Sequence, residues 1–300
     1  MAVKSIVFTI GVFDGVHLGH QALLRQTAAL AKKLKAQPQV LTFDDHPLHV
    51  LKGGPKIPFL LNRESNFELL QKMGAWRVRV LHFTKAFSKK TPEQFVKWLQ
   101  TKGRLKGVVV GENFRFGQGA RGDVKLLAQL GKRYGFTVKG VKPVQLKGRA
   151  VSSSRIREAL ALGQTALANQ MLGRPYCVEG MVVHGKQEGR RIGFPTANLK
   201  VRGDLLPKDG VYTCAVKLGR KFYRAGMNLG KRPTFKEDDH HRQAEVHLMR
   251  YYGQLYGKTM RVHLLDYLRS EKKFASPALL VKQIKKDLAK IEKASLKGLS

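Results

Sequence analysis

The chain has few acidic residues, few cysteines and no long hydrophobic run. Only 21 Asp and Glu stand against 56 Lys and Arg, so the formal net charge is +35, and the excess is spread over both halves. No run approaches the ~18 consecutive apolar residues of a membrane-spanning helix, and the N-terminal apolar run lacks a small-residue cleavage site. These absences argue against a membrane span and a signal peptide, so we expect a cytoplasmic protein with no membrane contact.

The two cysteines, Cys177 and Cys214, lie far apart and neither has a CxxC partner. We therefore expect reduced core thiols rather than a disulfide or a zinc site. The basic charge favours anionic partners such as ATP, RNA or acidic membranes, but nucleic-acid binders usually gather charge on one face with aromatic side chains. A nucleic-acid partner is not expected here, and the sequence carries no signature of an oligomeric state.

The length and the hydrophobic content of 43% suit two domains. In the first half, short apolar runs such as IVFTIGVF and KGVVVG alternate with helical patterns such as HQALLRQTAALAKKLK, which predicts a parallel α/β sheet. Thr91 followed by Pro92 predicts a helix start. Ligand sites in such folds lie beyond the carboxyl ends of the strands.

After Leu172 the pattern changes to short strands separated by Gly-rich turns, which predicts a small antiparallel barrel. The chain closes with an amphipathic helix whose apolar stripe is expected to pack on the barrel. The residues of this stripe are Leu279, Leu280, Ile284, Leu288 and Ile291. We place the two domains at residues 1–172 and 173–300.

Residues 11–20, GVFDGVHLGH, follow the first strand and open the first helix. Glycines allow backbone amides to approach phosphate oxygens, and a helix N-terminus favours negative charge. His17 and His20 are three residues apart, so both rings project from one face of the first turn. They suit a polyphosphate that gains charge during transfer; a plain strand–helix turn is the alternative.

Residues 151–160, VSSSRIREAL, predict a second anion site, because Ser154 and Arg157 share the first turn of a helix. The guanidinium of Arg157 offers a planar fork for phosphate oxygens. A plain capped helix is the alternative for this string taken alone.

Together with VVVGENFRFG at residues 108–117, these strings resemble the adenylyltransferase module of bacterial bifunctional riboflavin kinase/FAD synthetases, which is related to the HxGH nucleotidyltransferases. The resemblance implies a Rossmann-like domain that binds ATP over the first loop, where the FMN phosphate attacks the α-phosphorus and releases pyrophosphate. It implies catalytic roles for His17 and His20 on the triphosphate. It implies nucleotide binding by Gly11, Phe13, Asp14, Asn113, Ser154 and Arg157.

Residues 184–198, HGKQEGRRIGFPTAN, combine a basic Gly-rich loop with Thr196 and Asn198. These two alternate along an extended segment and so point to the same side. Their oxygens are hard ligands suited to Mg²⁺, which needs few protein ligands beside phosphates and water. Farther on, Glu245 in the string EVHL can accept a proton from a substrate hydroxyl near a metal–ATP site.

These strings, with NLGKRPTF at residues 228–235, are similar to the riboflavin kinase module of the same enzymes. The resemblance makes Glu245 the catalytic base for the ribityl hydroxyl of riboflavin and places Arg269 near the flavin. It implies Mg²⁺ and ATP binding by Thr196 and by the catalytic residue Asn198. It adds Gly189 and Gly193 to the nucleotide site.

The resemblance covers residues 6–290 and departs from the usual pattern at four places. Asp45 stands where proline is common and Asn66 where lysine is usual, and both border the predicted adenylylation cleft. Met249 and Arg250 replace Leu-Asp, and Gln254 replaces an acidic residue.

The sequence thus predicts an enzyme that phosphorylates riboflavin to FMN and then adenylylates FMN to FAD, using ATP and Mg²⁺. Two alternatives are the same scaffold with only the kinase active, and a flavin-sensing or nucleic-acid-binding regulator.

Overall fold

The computed structural model describes residues 4–53, 57–74, 77–185, 188–202, 205–231, 242–296 and 299. The chain divides into two compact units, Met1–Ser153 and Ser154–Ser300. Two stretches of the predicted kinase motifs, residues 186–187 of the Gly-rich loop and residues 232–235 of NLGKRPTF, lie outside the described residues.

A parallel sheet of five strands, in the order β3-β2-β1-β4-β5, forms the centre of the first unit. The strands are β1 (Ser5–Ile10), β2 (Gln37–Phe43), β3 (Val78–Leu81), β4 (Arg104–Gly111) and β5 (Thr137–Val141). In β1, Ile6, Phe8 and Ile10 pack into one apolar cluster and Val7 into another. Because both faces of the strand are buried, its sequence is apolar except for Ser5 at its start and the buried Thr9.

Six helices connect the strands of this sheet. They are α1 (Leu18–Lys33), α2 (Pro47–Lys52), α3 (Arg63–Lys72), α4 (Lys85–Ser88), α5 (Pro92–Gln100) and α6 (Val124–Tyr134). The predicted start of α5 is confirmed, since the Thr91 side chain accepts from the Gln94 amide while the Gln94 side chain accepts from the Thr91 amide. A short hairpin of β6 (Gln145–Leu146) and β7 (Arg149–Ala150) follows the sheet.

The second unit contains two helices, α7 (Ser153–Ala161, which begins at the last residue of the first unit) and α8 (Thr165–Leu172), and then a closed six-stranded antiparallel barrel. The barrel order is β10-β11-β12-β9-β8-β13. Its strands are β8 (Tyr176–Val183), β9 (Ala197–Arg202), β10 (Gly210–Leu218), β11 (Lys221–Lys231), β12 (Arg242–Leu248) and β13 (Thr259–Arg269). Closure leaves no free sheet edge.

Helix α9 (Glu188–Arg191) lies in the loop before β9, and α10 (Pro277–Glu292) closes the chain. The apolar stripe predicted for α10 is partly confirmed, because Leu280, Ile284, Leu288 and Ile291 face an internal cavity. Leu279 is not part of it: its side chain is 50% exposed, since it lies about 100° around the helix from Leu280.

This architecture confirms the predicted order of a parallel α/β unit, an antiparallel barrel and a C-terminal helix. Cys177 and Cys214 are free thiols, as predicted, and burial raises the pKa of Cys177 to about 12. No helix among the described residues is long and apolar enough to cross a bilayer.

Candidate active sites

The loop between β1 and α1 is fastened to its surroundings by hydrogen bonds. The Gly11 amide donates to the Leu41 carbonyl at 3.1 Å, and the Thr42 hydroxyl donates to the Val12 carbonyl at 2.9 Å. The Ser153 hydroxyl donates to the Asp14 carbonyl at 3.0 Å. The loop is therefore held in place both from β2 and from the first residue of α7.

Asp14 and Phe13, both predicted to bind nucleotide, have side chains that pack inside this loop. The Asp14 carboxylate is buried and accepts from the Leu60 amide at 2.8 Å. The Phe13 ring is fully buried and its centroid lies 5.0 Å from that of His20. The contacts of both side chains hold the loop together.

Three residues of this loop adopt left-handed backbone angles, with φ of 53° at Phe13, 74° at Gly15 and 40° at Val16. Such angles are uncommon for residues other than glycine and concentrate at functional sites. A Cβ on Gly15 would lie 2.6 Å from Leu60 Cδ1, so close packing also requires glycine here. The loop is a strained turn that its neighbours hold in one shape.

His17 and His20 come together at the start of α1. His17 caps the helix, since its Nδ1 accepts from the amides of Gly19 at 3.1 Å and His20 at 3.4 Å. That arrangement leaves the proton of the neutral ring on Nε2, where it can be donated to a ligand. The two rings stack, with centroids 3.6 Å apart and planes at 18°.

Burial, and secondarily the neighbouring His17, hold the pKa of His20 well below its usual value. His20 is therefore neutral at pH 7. Its Nδ1 is buried and makes no hydrogen bond within the described part of the chain. An unsatisfied buried nitrogen of this kind is expected where a ligand completes the site.

Asn113 follows β4 at its carboxyl end, and Gly11 follows the adjacent strand β1 at the same edge. The β1–β4 boundary is where the chain turns from one side of the sheet to the other, which is the ligand-binding position in this class of sheet.

Ser154 and Arg157 lie on the first turn of α7, Ser154 exposed and Arg157 half-buried.

Two aspartates follow β2 at the same edge of the sheet. Burial would raise the pKa of Asp44, but hydrogen bonds from His82 and from backbone amides outweigh it and hold that pKa below its usual value. Asp45 accepts from the His46 amide and pairs with His49, each at 2.7 Å. Asp45 thus organises the start of α2.

The second site is a cavity of about 650 Å³ in the barrel unit. One wall is apolar and is formed mainly by α10, through Leu280, Ile284, Leu288 and Ile291. Polar side chains also line the cavity, among them Thr196, Asn228, Glu245 and Glu271. A cavity with both apolar and polar lining suits a flat organic ligand with a hydrophilic tail.

Thr196 and Glu245, two of the residues singled out from the motif strings, line this cavity, whereas Asn198 is not among its described lining residues. Glu245 on β12 lies directly opposite Asn198 on β9 in the strand register, so the two side chains are neighbours on one face. Thr196 precedes β9 by one residue and lines the cavity. His247 Nδ1 lies 2.8 Å from the Pro195 carbonyl, which fastens the Thr196 segment to β12.

Gly189 and Gly193 shape the loop that leads into Thr196. A Cβ on Gly189 would overlap the Phe194 carbonyl oxygen and lie 3.3 Å from the Thr196 hydroxyl. The Phe194 amide donates to the Gly189 carbonyl at 2.7 Å, which closes the turn. Gly193 has a φ of 87°, so this position favours glycine for its backbone angle.

Arg269 lines the cavity, with its guanidinium bound to Asp287 of α10. Sequence reasoning missed Asp287, Asn228 and Glu271 as site residues. The Asn228 amide donates to Glu271 at 2.9 Å, which places a second carboxylate in the cavity. These residues are distant from one another in the sequence, and Asn228 also lies opposite Glu245 in the strand register.

A parallel α/β unit with a histidine-capped loop, joined to a barrel with a carboxylate-lined cavity, defines a two-unit transferase that handles nucleotide phosphates. Residues 2–155 match the family model for FAD synthetase, and residues 172–295 match the one for riboflavin kinase.

Curated relatives match over nearly the whole chain. The bifunctional riboflavin kinase/FMN adenylyltransferase of Escherichia coli strain K12 is 38% identical over 287 residues, which cover 95% of this chain and 91% of that protein. The Bacillus subtilis enzyme of the same name is 33% identical over 286 residues, which cover 94% and 90%. The chain therefore belongs to the family of bifunctional riboflavin kinase/FMN adenylyltransferases.

A solved structure, titled as a macrolide-efflux protein from Streptococcus pneumoniae, has the same fold. It superposes with a TM-score of 0.90 at 32% identity and covers 97% of this chain and 95% of its own. The efflux function in its title is a statement about that protein.

The predicted family and its two activities are confirmed. The protein phosphorylates riboflavin to FMN and adenylylates FMN to FAD, with ATP as the donor in both reactions.

Proposed function

We propose that riboflavin phosphorylation takes place in the barrel cavity, with the flavin ring on the apolar wall of α10 and the ribityl chain directed at Glu245. The observation that supports this proposal is that one cavity of about 650 Å³ is lined both by the apolar side chains of α10 and by Glu245. Flat apolar ligands bind in cavities of this size and character, where a few polar groups set their orientation. Arg269 borders the flavin end of the cavity and, through Asp287, holds α10 in place.

In this proposal the Glu245 carboxylate accepts the proton of the terminal ribityl hydroxyl as that oxygen attacks the γ-phosphorus of ATP and ADP leaves. General-base catalysis of this kind contributes about 10²–10⁴ in rate. Much of the remaining rate acceleration comes from positioning of the reactants by the loop at residues 188–198, because phosphoryl transfer depends chiefly on alignment and charge stabilisation.

Thr196 and Asn198 are the residues that would hold Mg²⁺ with the phosphates. A hydroxyl and an amide oxygen are hard donors that fit this ion beside phosphates and water. Within the described residues no group of three His, Cys, Asp or Glu is arranged to hold a metal, so these few ligands and the phosphates would make the site. The chemistry that Mg²⁺ supplies when bound is neutralisation of phosphate charge.

Adenylylation takes place, in our proposal, at the loop of residues 11–20. His17 donates from Nε2 and neutral His20 donates from its ring to the triphosphate as an FMN phosphate oxygen attacks the α-phosphorus and pyrophosphate leaves. The nucleotide end of this site is formed by Gly11, Phe13, Asp14 and Asn113. The phosphates are bound by Ser154 and Arg157. No covalent enzyme intermediate is required.

We further propose a domain division at residues 172 and 173, a cytoplasmic location and no nucleic-acid partner. The match to the riboflavin kinase model begins at residue 172, which supports this division, whereas the two compact units divide between Ser153 and Ser154. The matched family ranges leave residues 156–171 unassigned.

The experiment is to incubate the protein with riboflavin, ATP and Mg²⁺ and to follow the products by chromatography. We expect FMN first and FAD afterwards. Accumulation of FMN alone would contradict the adenylylation site, and omission of Mg²⁺ should abolish product formation.

A further inference from the structure

We propose that Asn66 is a positioning residue for adenylylation, which holds the strained loop of residues 11–17 in its active shape through the Gly15 amide. The inference rests on the role proposed above for this loop.

The contact is direct and shielded from water. The Gly15 amide donates to Asn66 Oδ1 at 3.1 Å in a buried hydrogen bond between residues 51 positions apart. Asn66 is 8% exposed and lies in the first turns of α3, whose N-cap is Asn62. The carboxamide carries an acceptor oxygen, whereas an ammonium group carries none. Asparagine therefore makes a contact with this amide that lysine cannot make.

Gly15 occupies the centre of the strained segment, between Phe13 and Val16, whose backbone angles are also left-handed. Leu60 packs against one side of it, and the Leu60 amide in turn donates to Asp14. Asn66, on α3, accepts the hydrogen bond of the Gly15 amide. The two contacts brace consecutive residues of the loop, so the loop keeps a conformation that its own backbone preferences oppose.

His17 follows Gly15 by two residues, and its ring position depends on where the loop ends. Its Nδ1 caps α1 and its ring stacks on His20, so a shift of the Gly15 peptide moves both imidazoles together. A displacement of about 1 Å in a group that aligns phosphates can cost about a hundredfold in rate. Asn66 thus acts on the reaction through the histidines, without touching the substrate.

The test compares the full-length variants Asn66→Ala, which removes the acceptor, and Asn66→Asp, which keeps an acceptor oxygen at the same reach. Gln71→Ala, an exposed change on the same helix, is the matched control. For each protein, kcat and KM are measured for adenylylation of FMN, riboflavin phosphorylation serves as an internal control, and amide hydrogen exchange is followed in residues 11–17.

For Asn66→Ala we expect a tenfold or greater loss of adenylylation kcat, faster exchange confined to residues 11–17, and unchanged riboflavin phosphorylation. Asn66→Asp should retain slow exchange in the loop, and Gln71→Ala should match the parent protein in every measurement.

The proposal is overturned if Asn66→Ala adenylylates FMN at the parent rate. It is also overturned if exchange accelerates equally through all strands of the parallel sheet, since Asn66 would then only support the fold. If His20→Ala likewise leaves adenylylation intact, the error lies in the proposed site rather than in Asn66.

Discussion

Arg269 at the end of β13 donates two hydrogen bonds to one carboxylate oxygen of Asp287 on α10, from Nε at 3.0 Å and from Nη2 at 2.8 Å. The other carboxylate oxygen accepts from Gln283 at 2.9 Å. The side chains of Arg269 and Asp287 are only 17% and 8% exposed. Because α10 forms the apolar wall of the barrel cavity, this ion pair fixes the distance between that wall and the strands.

Replacing Asp287 with Ala should loosen α10 and weaken riboflavin binding. Removal of one partner leaves the other charge buried without compensation, which typically costs about 3–5 kcal/mol. We expect a lower free energy of unfolding for the barrel, a raised KM for riboflavin and unchanged adenylylation of FMN. Lys282→Ala, on the exposed side of α10, is the control. An unaltered riboflavin KM would show that the pair does not shape the cavity.

Glu245→Gln keeps the size of the side chain and removes its basicity. Riboflavin phosphorylation should fall by about 10²–10⁴, whereas conversion of added FMN to FAD should continue at the parent rate. Both reactions are followed by chromatography on one preparation. Loss of both activities would contradict the assignment of Glu245 to a separate kinase site.

His20→Ala should produce the opposite pattern. The stacked pair of His17 and His20 loses one ring, and the triphosphate loses a donor at the start of α1. Removing a single donor aimed at developing charge costs about 10²–10³ in rate in comparable sites. FMN should therefore accumulate from riboflavin while FAD formation nearly stops. Unimpaired FAD formation would exclude His20 from the reaction.

Gly189→Ala should disturb the ATP site of the kinase. The added Cβ would overlap the Phe194 carbonyl and crowd the Thr196 hydroxyl, so the turn must open. We expect a raised KM for ATP in riboflavin phosphorylation and no effect on adenylylation. Arg220→Ala, an exposed change in the turn between β10 and β11, is the control. Equal effects of both changes would indicate general strain instead of a local clash.

His263 should make the barrel less stable in mild acid. Burial, followed by Arg261, Lys217 and Arg174, lowers the pKa of His263 to about 4. Below pH ~6.5 the His263 imidazole is protonated in the unfolded chain but stays neutral in the folded barrel. The free energy of unfolding therefore falls as the pH drops from about 6.5 to about 4, and this contribution levels off below that. The loss from this group is at most about 3 kcal/mol.

Urea unfolding of the parent protein and of His263→Gln, each at several pH values between 7.5 and 4.5, measures this contribution. The variant should lose less stability than the parent across that interval. The same slope in both proteins would assign the acid sensitivity to other groups.

The sequence alone determined the two kinds of architecture, because hydrophobic periodicity reflects local burial. The run IVFTI is apolar except for Thr9 and β1 is buried on both faces, whereas Tyr176, Val178 and Val182 alternate with half-buried residues in β8. The capping signal at Thr91 also holds, since a helix cap depends on neighbouring residues. The motif strings were sufficient for the family because they combine many residue types at set spacings.

Tertiary structure alone decided which distant residues meet. The pairing of Asn198 with Glu245 depends on the strand register, and the bond between Gly15 and Asn66 depends on how α3 lies against the loop. The apolar stripe on α10 was assigned with Leu279 included, and only packing showed that this residue faces solvent. Such contacts arise from the geometry of strands and helices separated by long stretches of chain, and local sequence patterns carry no information about that geometry.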